Sequence, residues 1–126
     1  MRREISIRQV DAFTTEPLSG NAAGVVTRGG ESLSNAQMQA IAREMNVAET
    51  AFLLPPSNQS ADLRIRWFTP GMEVPLCGHA TIASFHAAAE EGSWGLAADG
   101  VHRLRLESLS GVLPIEVTKN AGETVV

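Results

Sequence analysis

The chain has 126 residues, 44% of them hydrophobic, which is enough to bury one core and fits a single domain. Its net charge of −4, with no basic tract interleaved with aromatic residues, argues against nucleic acid or an anionic lipid surface as a partner. No stretch approaches membrane-spanning length, the opening M-R-R-E-I-S-I-R-Q lacks the apolar core of a signal peptide, and a cytoplasmic protein is expected.

Along residues 4–13, Ile5 and Ile7 alternate with Ser6 and Arg8, predicting a strand with one buried face. Thr14-Thr15-Glu16-Pro17 and Gly20 interrupt it, and a second strand is expected over 21–27, where Ala22, Ala23 and Gly24 imply close packing. Ser34 and Gln37 then have capping-box spacing, and Leu33 and Met38 stand where a hydrophobic staple needs them. A helix over 35–45 follows. Its Met38, Ile41, Ala42 and Met45 form one apolar stripe, and Gln39, Arg43 and Glu44 are left mostly to water. The run 49–54 is short, apolar and strand-like, which puts Glu49 at a helix-to-strand junction.

Residues 62–69 alternate well, with Leu63, Ile65 and Trp67 on one face and Arg64 and Arg66 on the other. A turn over 69–73 leads to P-L-C-G-H-A-T-I-A-S-F-H-A-A-A-E-E, residues 75–91, which from Gly78 onward has the composition of a helix without a broad polar face. Such a helix has to be wrapped by protein. Gly92 and Gly95 punctuate its end. Two further strands are expected over 103–108 and 111–119, then a hairpin turn at Asn120-Ala121-Gly122 and a returning arm of four residues, so that the sequence reads as stopping within a strand. The order predicts an α+β fold with one exposed and one enclosed helix, and the rest of the chain is expected to build a curved mixed sheet, barrel-like, around the enclosed, apolar one.

The first turn of that helix gathers a thiol (Cys77), a glycine (Gly78) and an imidazole (His79) at amides with no partner inside the helix. Such an end attracts anions and favours a thiolate, so Cys77 is expected to carry some thiolate character; its plainer reading is a small buried core residue. A lone cysteine excludes an internal disulfide. With His79, His86 and His102 at irregular spacings it does not resemble a zinc site, and no metal is expected.

The blocks Q-V-D-A-F-T with G-N-A-A-G-V-V, M-Q-A-I-A-R-E-M-N-V-A-E-T-A-F, and R-I-R-W-F-T-P-G-M-E-V-P-L-C-G-H-A-T span most of residues 9–81. In this order they resemble the phenazine-biosynthesis (PhzF-like) isomerase family, of the diaminopimelate-epimerase-like fold. That family implies two similar domains, each a curved sheet around a central helix, with the site in the cleft between them. Residues 1–126 resemble the first domain only, and the Asp and Gly-Ser motif of the second has no counterpart.

By this resemblance Glu49, in A-E-T, is the proton-transferring carboxylate, and Gly78 and His79 are the substrate-contacting pair. Asn21, in G-N, is a polar substrate contact. Cys77 stands where the diaminopimelate and proline epimerases of the same fold carry an acid/base cysteine. Ala22 and Ala48 replace the Pro and Ser the family often has, and neither change removes a reacting group. Without this context Glu49 reads as an exposed acid near a helix end, His79 as a cap, and His86 and His102 as structural or surface residues.

The implied chemistry is a cofactor-independent proton shift on a small carboxylate-bearing metabolite, with Glu49 catalytic and Cys77, Gly78, His79 and Asn21 binding substrate. One alternative is a racemase or epimerase that uses Cys77. Another is a non-catalytic half-domain that binds a ligand or partner. In either case a second copy or a second domain is expected to complete the site.

Overall fold

The computed structural model describes residues 5–12, 21–120 and 123–126. The interruption expected at Thr14–Gly20 and the tip at Ala121-Gly122 lie outside the described residues. Among those described, the order is β1 (Arg8–Ala12), β2 (Asn21–Val26), a 3-10 turn (Gly30–Ser32), α1 (Asn35–Met45), β3 (Glu49–Leu54), β4 (Leu63–Phe68), β5 (Glu73–Val74), α2 (Gly78–Glu91), β6 (Gly100–Ser108), β7 (Gly111–Asn120) and β8 (Glu123–Val125).

The strands form one mixed sheet in the order β1-β2-β3-β4-β6-β7-β8, with β5 on the part of β4 that β6 leaves free. β2 and β3 pair in parallel, as do β4 and β6, and the remaining ladders are antiparallel. Both β1 and β8, the two ends of this order, touch α2, so the sheet curls around that helix. The expected α+β architecture, a curved mixed sheet around a central apolar helix, is what the chain adopts.

Side-chain alternation divides the interior into two cores. Ala51 and Leu53 of β3 and Leu63, Ile65 and Trp67 of β4 face α2, together with Ala80, Ala83, Phe85, Ala87, Ala88 and Ala89 from the helix itself. The alanines let the sheet approach the helix axis closely, and burying each of Trp67, Phe85, Leu53 and Ile65 contributes roughly 1.5–3 kcal/mol. The opposite face of the sheet carries Val26, Phe52, Leu54 and Phe68, which pack under Met38 and Ala42 of α1. Phe52 and Phe68 meet edge to face at 5.5 Å.

Helix α1 has the predicted bounds. The Gln37 amide donates to Ser34 Oγ at 3.1 Å and the Ser34 amide to Gln37 Oε1 at 2.8 Å, while Asn46 closes the C-terminal end in the left-handed region. Leu33, at the staple position, packs into the same cluster as Met38. Gln39 departs from expectation: it is half-buried and donates to the Thr69 and Pro70 carbonyls, tying α1 to the end of β4.

Four elements differ from the sequence reading, among them β6, which begins at Gly100 rather than Arg103. β1 begins at Arg8 rather than near residue 4, because Ile5 and Ile7 pack into the α1 core. β5, within the expected turn, is only two residues long, and Glu73 is held there by a two-pronged pair with Arg66 at 2.8 Å for each contact. The 3-10 turn after β2 has no periodicity to reveal it. At Gly24, a Cβ would come within 3.0 Å of Thr50 Oγ1 and 3.2 Å of Met45 Cε, so a side chain here would force these neighbours on β3 and α1 to give way.

Helix α2 is fixed firmly at its C-terminal end. Lys119 Nζ donates to the Ala89 carbonyl at 2.9 Å, the Arg8 guanidinium reaches the Ala87 carbonyl and Glu90, and Gly92 adopts φ 71° to cap the last turn.

Candidate active site

The N-terminal end of α2 lies beside the first residue of β3. Glu49 opens β3 shortly after the α1 C-cap, Asn46, opposite Ala23 of β2 in the parallel register. Alternation puts Glu49 on the same face of β3 as Ala51 and Leu53, the face turned toward α2. Its carboxylate Oε2 is 2.8 Å from His79 Nε2, and the side chains are only 20% and 17% exposed. The contact is close but lies off the imidazole N–H axis, so both atoms are buried without an aligned hydrogen-bond partner among the described residues. The other ring nitrogen, Nδ1, is 3.5 Å from Cys77 Sγ.

Cys77 is the N-cap residue of α2, with extended backbone (φ −150°), and its side chain caps nothing. Its thiol is pushed up from the ordinary value chiefly by burial, and also by the neighbouring Glu49 carboxylate; the Ala80 and His79 amides pull the other way and are outweighed. The expected thiolate character is therefore corrected. The helix end does favour the anion, but burial beside a carboxylate dominates, and Cys77 stays a thiol at neutral pH.

Gly78 is exposed, and a Cβ there would meet nothing within 4 Å. No packing demand among the described residues requires glycine at this place. The structure thus brings together Glu49, Cys77, Gly78 and His79. Asn21 begins β2, two residues before the partner of Glu49, at the same end of the sheet, and its backbone pairs with Ala12.

Two residues that sequence reasoning missed lock this end in place. Thr81 Oγ1 donates to the Cys77 carbonyl at 2.8 Å and accepts from Trp67 Nε1 at 3.0 Å, all in the interior. A buried indole needs a partner for its N–H, and a threonine one turn into a helix commonly bonds back by four residues; together these were the signals available. The donor atoms of Glu49, Cys77 and His79 all lie within 4.8 Å of one another, so they are also a possible ligand set. Spacing among the histidines alone could not find this set, because its third member, Glu49, is distant in sequence. His102, outside the site, contacts the Ala98 carbonyl at 2.7 Å.

Alongside α2 runs an apolar groove of about 510 Å³, bounded by Leu76, Ile82, Leu113, Ile115, Val125 and Val126. It adjoins the site at Gly78 but does not include Glu49 or His79. Met72, Leu76 and Leu109, around the same end of the molecule, are 59–61% exposed. None of the described helices is long and apolar enough to cross a membrane.

A family model described as phenazine biosynthesis-like protein matches residues 10–126. The chain is 41% identical over 119 residues to an uncharacterized isomerase of Clostridium acetobutylicum, covering 94% of this chain and 37% of that protein. It is similar, with a TM-score of 0.79 and 40% identity, to the crystal structure of the Bacillus anthracis phenazine biosynthesis protein of the PhzF family, covering 95% of this chain and 38% of that one. A probable proline racemase from Agrobacterium radiobacter has the same fold at a TM-score of 0.69 and 17% identity. The chain therefore spans a little over a third of the length of these relatives.

Proposed function

Since the chain belongs to the phenazine biosynthesis-like protein family, we propose that it provides the proton-transferring wall of an isomerase that moves a proton on a carbon next to a carboxylate, without a cofactor. The observation carrying this reading is the Glu49 carboxylate held 2.8 Å from His79 at an open helix N-terminus. Glu49 takes the proton from the carbon acid and returns it to a second carbon, or another group delivers one to the opposite face. The negative charge that develops on the substrate is met by the first-turn amides of α2 around Gly78. His79 orients Glu49 and contacts the substrate, and Asn21 adds a polar contact.

The chain's share of its relatives' length, and the exposed Met72, Leu76 and Leu109 near the site, support a second wall supplied by a further domain or a second copy. Sedimentation showing a stable monomer of the 126-residue chain at high concentration would count against the second copy. The substrate is a small anion, and the reaction is cytoplasmic.

The full gene product, incubated in deuterated solvent with a panel of small amino and unsaturated carboxylates, is expected to incorporate deuterium into at least one at the carbon next to the carboxylate. Undiminished exchange in Glu49→Gln would overturn the reading. A cysteine-dependent racemase remains the second reading, because Cys77 Sγ is 3.5 Å from His79 Nδ1. Full exchange in Cys77→Ser, with exchange lost in Glu49→Gln, excludes it.

A further inference from the structure

We propose that Glu49, Cys77 and His79 form a binding site for a thiophilic divalent cation of the zinc class, and that occupancy silences the proton transfer. The second half rests on the reading of Glu49 as the base; the first does not. Three kinds of donor converge here, a thiol sulfur, an imidazole nitrogen and a carboxylate oxygen, all within 4.8 Å. The 3.5 Å between Cys77 Sγ and His79 Nδ1 matches the edge of about 3.5 Å that a tetrahedral ion spans with metal–sulfur and metal–nitrogen bonds of about 2.3 and 2.0 Å.

A second, independent observation points the same way. Glu49 Oε2 and His79 Nε2 are buried 2.8 Å apart without an aligned hydrogen bond, so the carboxylate oxygen keeps lone-pair capacity uncommitted; with Nδ1 as the nitrogen donor, Nε2 carries the ring proton. Thiolate and imidazole together select zinc-class ions over magnesium or calcium, which prefer all-oxygen shells. The positive end of α2 opposes a cation, but a thiolate and a carboxylate bring two negative charges against it. On binding, the Cys77 proton leaves to buffer and sulfur, nitrogen and oxygen each donate a lone pair. Gly78, between Cys77 and His79, is exposed, so this end of the helix is open to solvent. With its carboxylate engaged on the metal, Glu49 cannot accept a substrate proton.

The test is a Co²⁺ titration of the metal-stripped full gene product, followed by absorption and by displacement with Zn²⁺. Cys77 is the one cysteine of the 126 residues, so within this chain a thiolate-to-cobalt charge-transfer band reports on it alone. The band is expected in the wild type and in His102→Ala, and lost in Cys77→Ser. Loss of a partner outside the metal's own ligands already costs ~10–100-fold in affinity, so Glu49→Gln and His79→Gln should each weaken binding by at least about tenfold.

Cooperative thermal melts establish that each variant is folded. No band in the folded wild type overturns the site, as does a band of unchanged affinity in both Glu49→Gln and His79→Gln. Binding is read without substrate, so its failure leaves the assignment of Glu49 untouched. Metal-saturated protein that still exchanges deuterium at the full rate overturns the silencing, whereas recovery of exchange on adding chelator supports it.

Discussion

Helix α1 closes its first turn with its own side chains, Ser34 and Gln37 each accepting from the other's amide, whereas α2 begins at Cys77, which caps nothing. At their C-terminal ends the helices are alike, each closed by a left-handed residue, Asn46 or Gly92. The open end is therefore a local property of one helix start and not of how this chain builds helices. α1 is amphipathic, lies on the outer face of the sheet and needs its cap for stability. α2 is held by the curled sheet around it and by Lys119 and Arg8 at its far end, so it can do without a capping side chain at its first turn. Packing supplies what capping does not.

The contrast is broken most severely at Glu49. Glu49→Gln should reduce deuterium exchange by at least about 100-fold while leaving the thermal melt nearly unchanged, because the substitution keeps the side-chain volume. Thr81→Val comes next. It leaves Trp67 Nε1 without its acceptor, and the expected loss of about 1–3 kcal/mol in denaturant unfolding should be accompanied by a fall in exchange as the Cys77 carbonyl is released.

Ser34→Ala should cost α1 about 1 kcal/mol in the same unfolding measurement, with exchange unchanged. If exchange fell as steeply as stability, the division between a structural and a functional helix start would not hold.

The smallest effect concerns Arg66, which joins both helices' surroundings by pairing with Glu73 before α2 and donating to Asn35 Oδ1 at 2.7 Å. The Arg66 guanidinium holds the Glu73 carboxyl below the usual carboxylate range. A depressed folded value means stability that is fully present above the unfolded value, near pH 4.3, and lost as the pH falls through the lower folded one. Glu73→Gln should remove about 1 kcal/mol or less and flatten that acid limb in unfolding curves taken at successive pH values.

Much of this was legible wherever a local signal carried it. Ser34 and Gln37 fixed the start of α1, the alternation of Leu63, Ile65 and Trp67 gave β4 its inward face, and the unbroken apolar run after Gly78 required a wrapped helix. Pairings were not legible. Nothing in Ala23 or Glu49 announces that their strands run parallel, and β5, paired with β4, is tied further by Arg66 reaching Glu73, a contact between side chains rather than a period in the sequence. For the site, the resemblance named Glu49 and His79, but their 2.8 Å contact depends on how the sheet folds against α2. The direction of the Cys77 shift was misread for a related reason: the helix end is visible in sequence, while burial beside a carboxylate distant in sequence is not.

The curl of the sheet also sets an order of events in folding. Helix α2 touches β1 near residue 10 and β8 near residue 124, so its alanine-rich surface cannot be enclosed until strands from both ends of this segment have arrived. Contacts of such long sequence separation are slow to form. During synthesis α2 leaves the ribosome before β6, β7 and β8 exist, and it must wait with its apolar sides uncovered. The time taken to make β6, β7 and β8 is therefore an interval in which this segment is prone to aggregate.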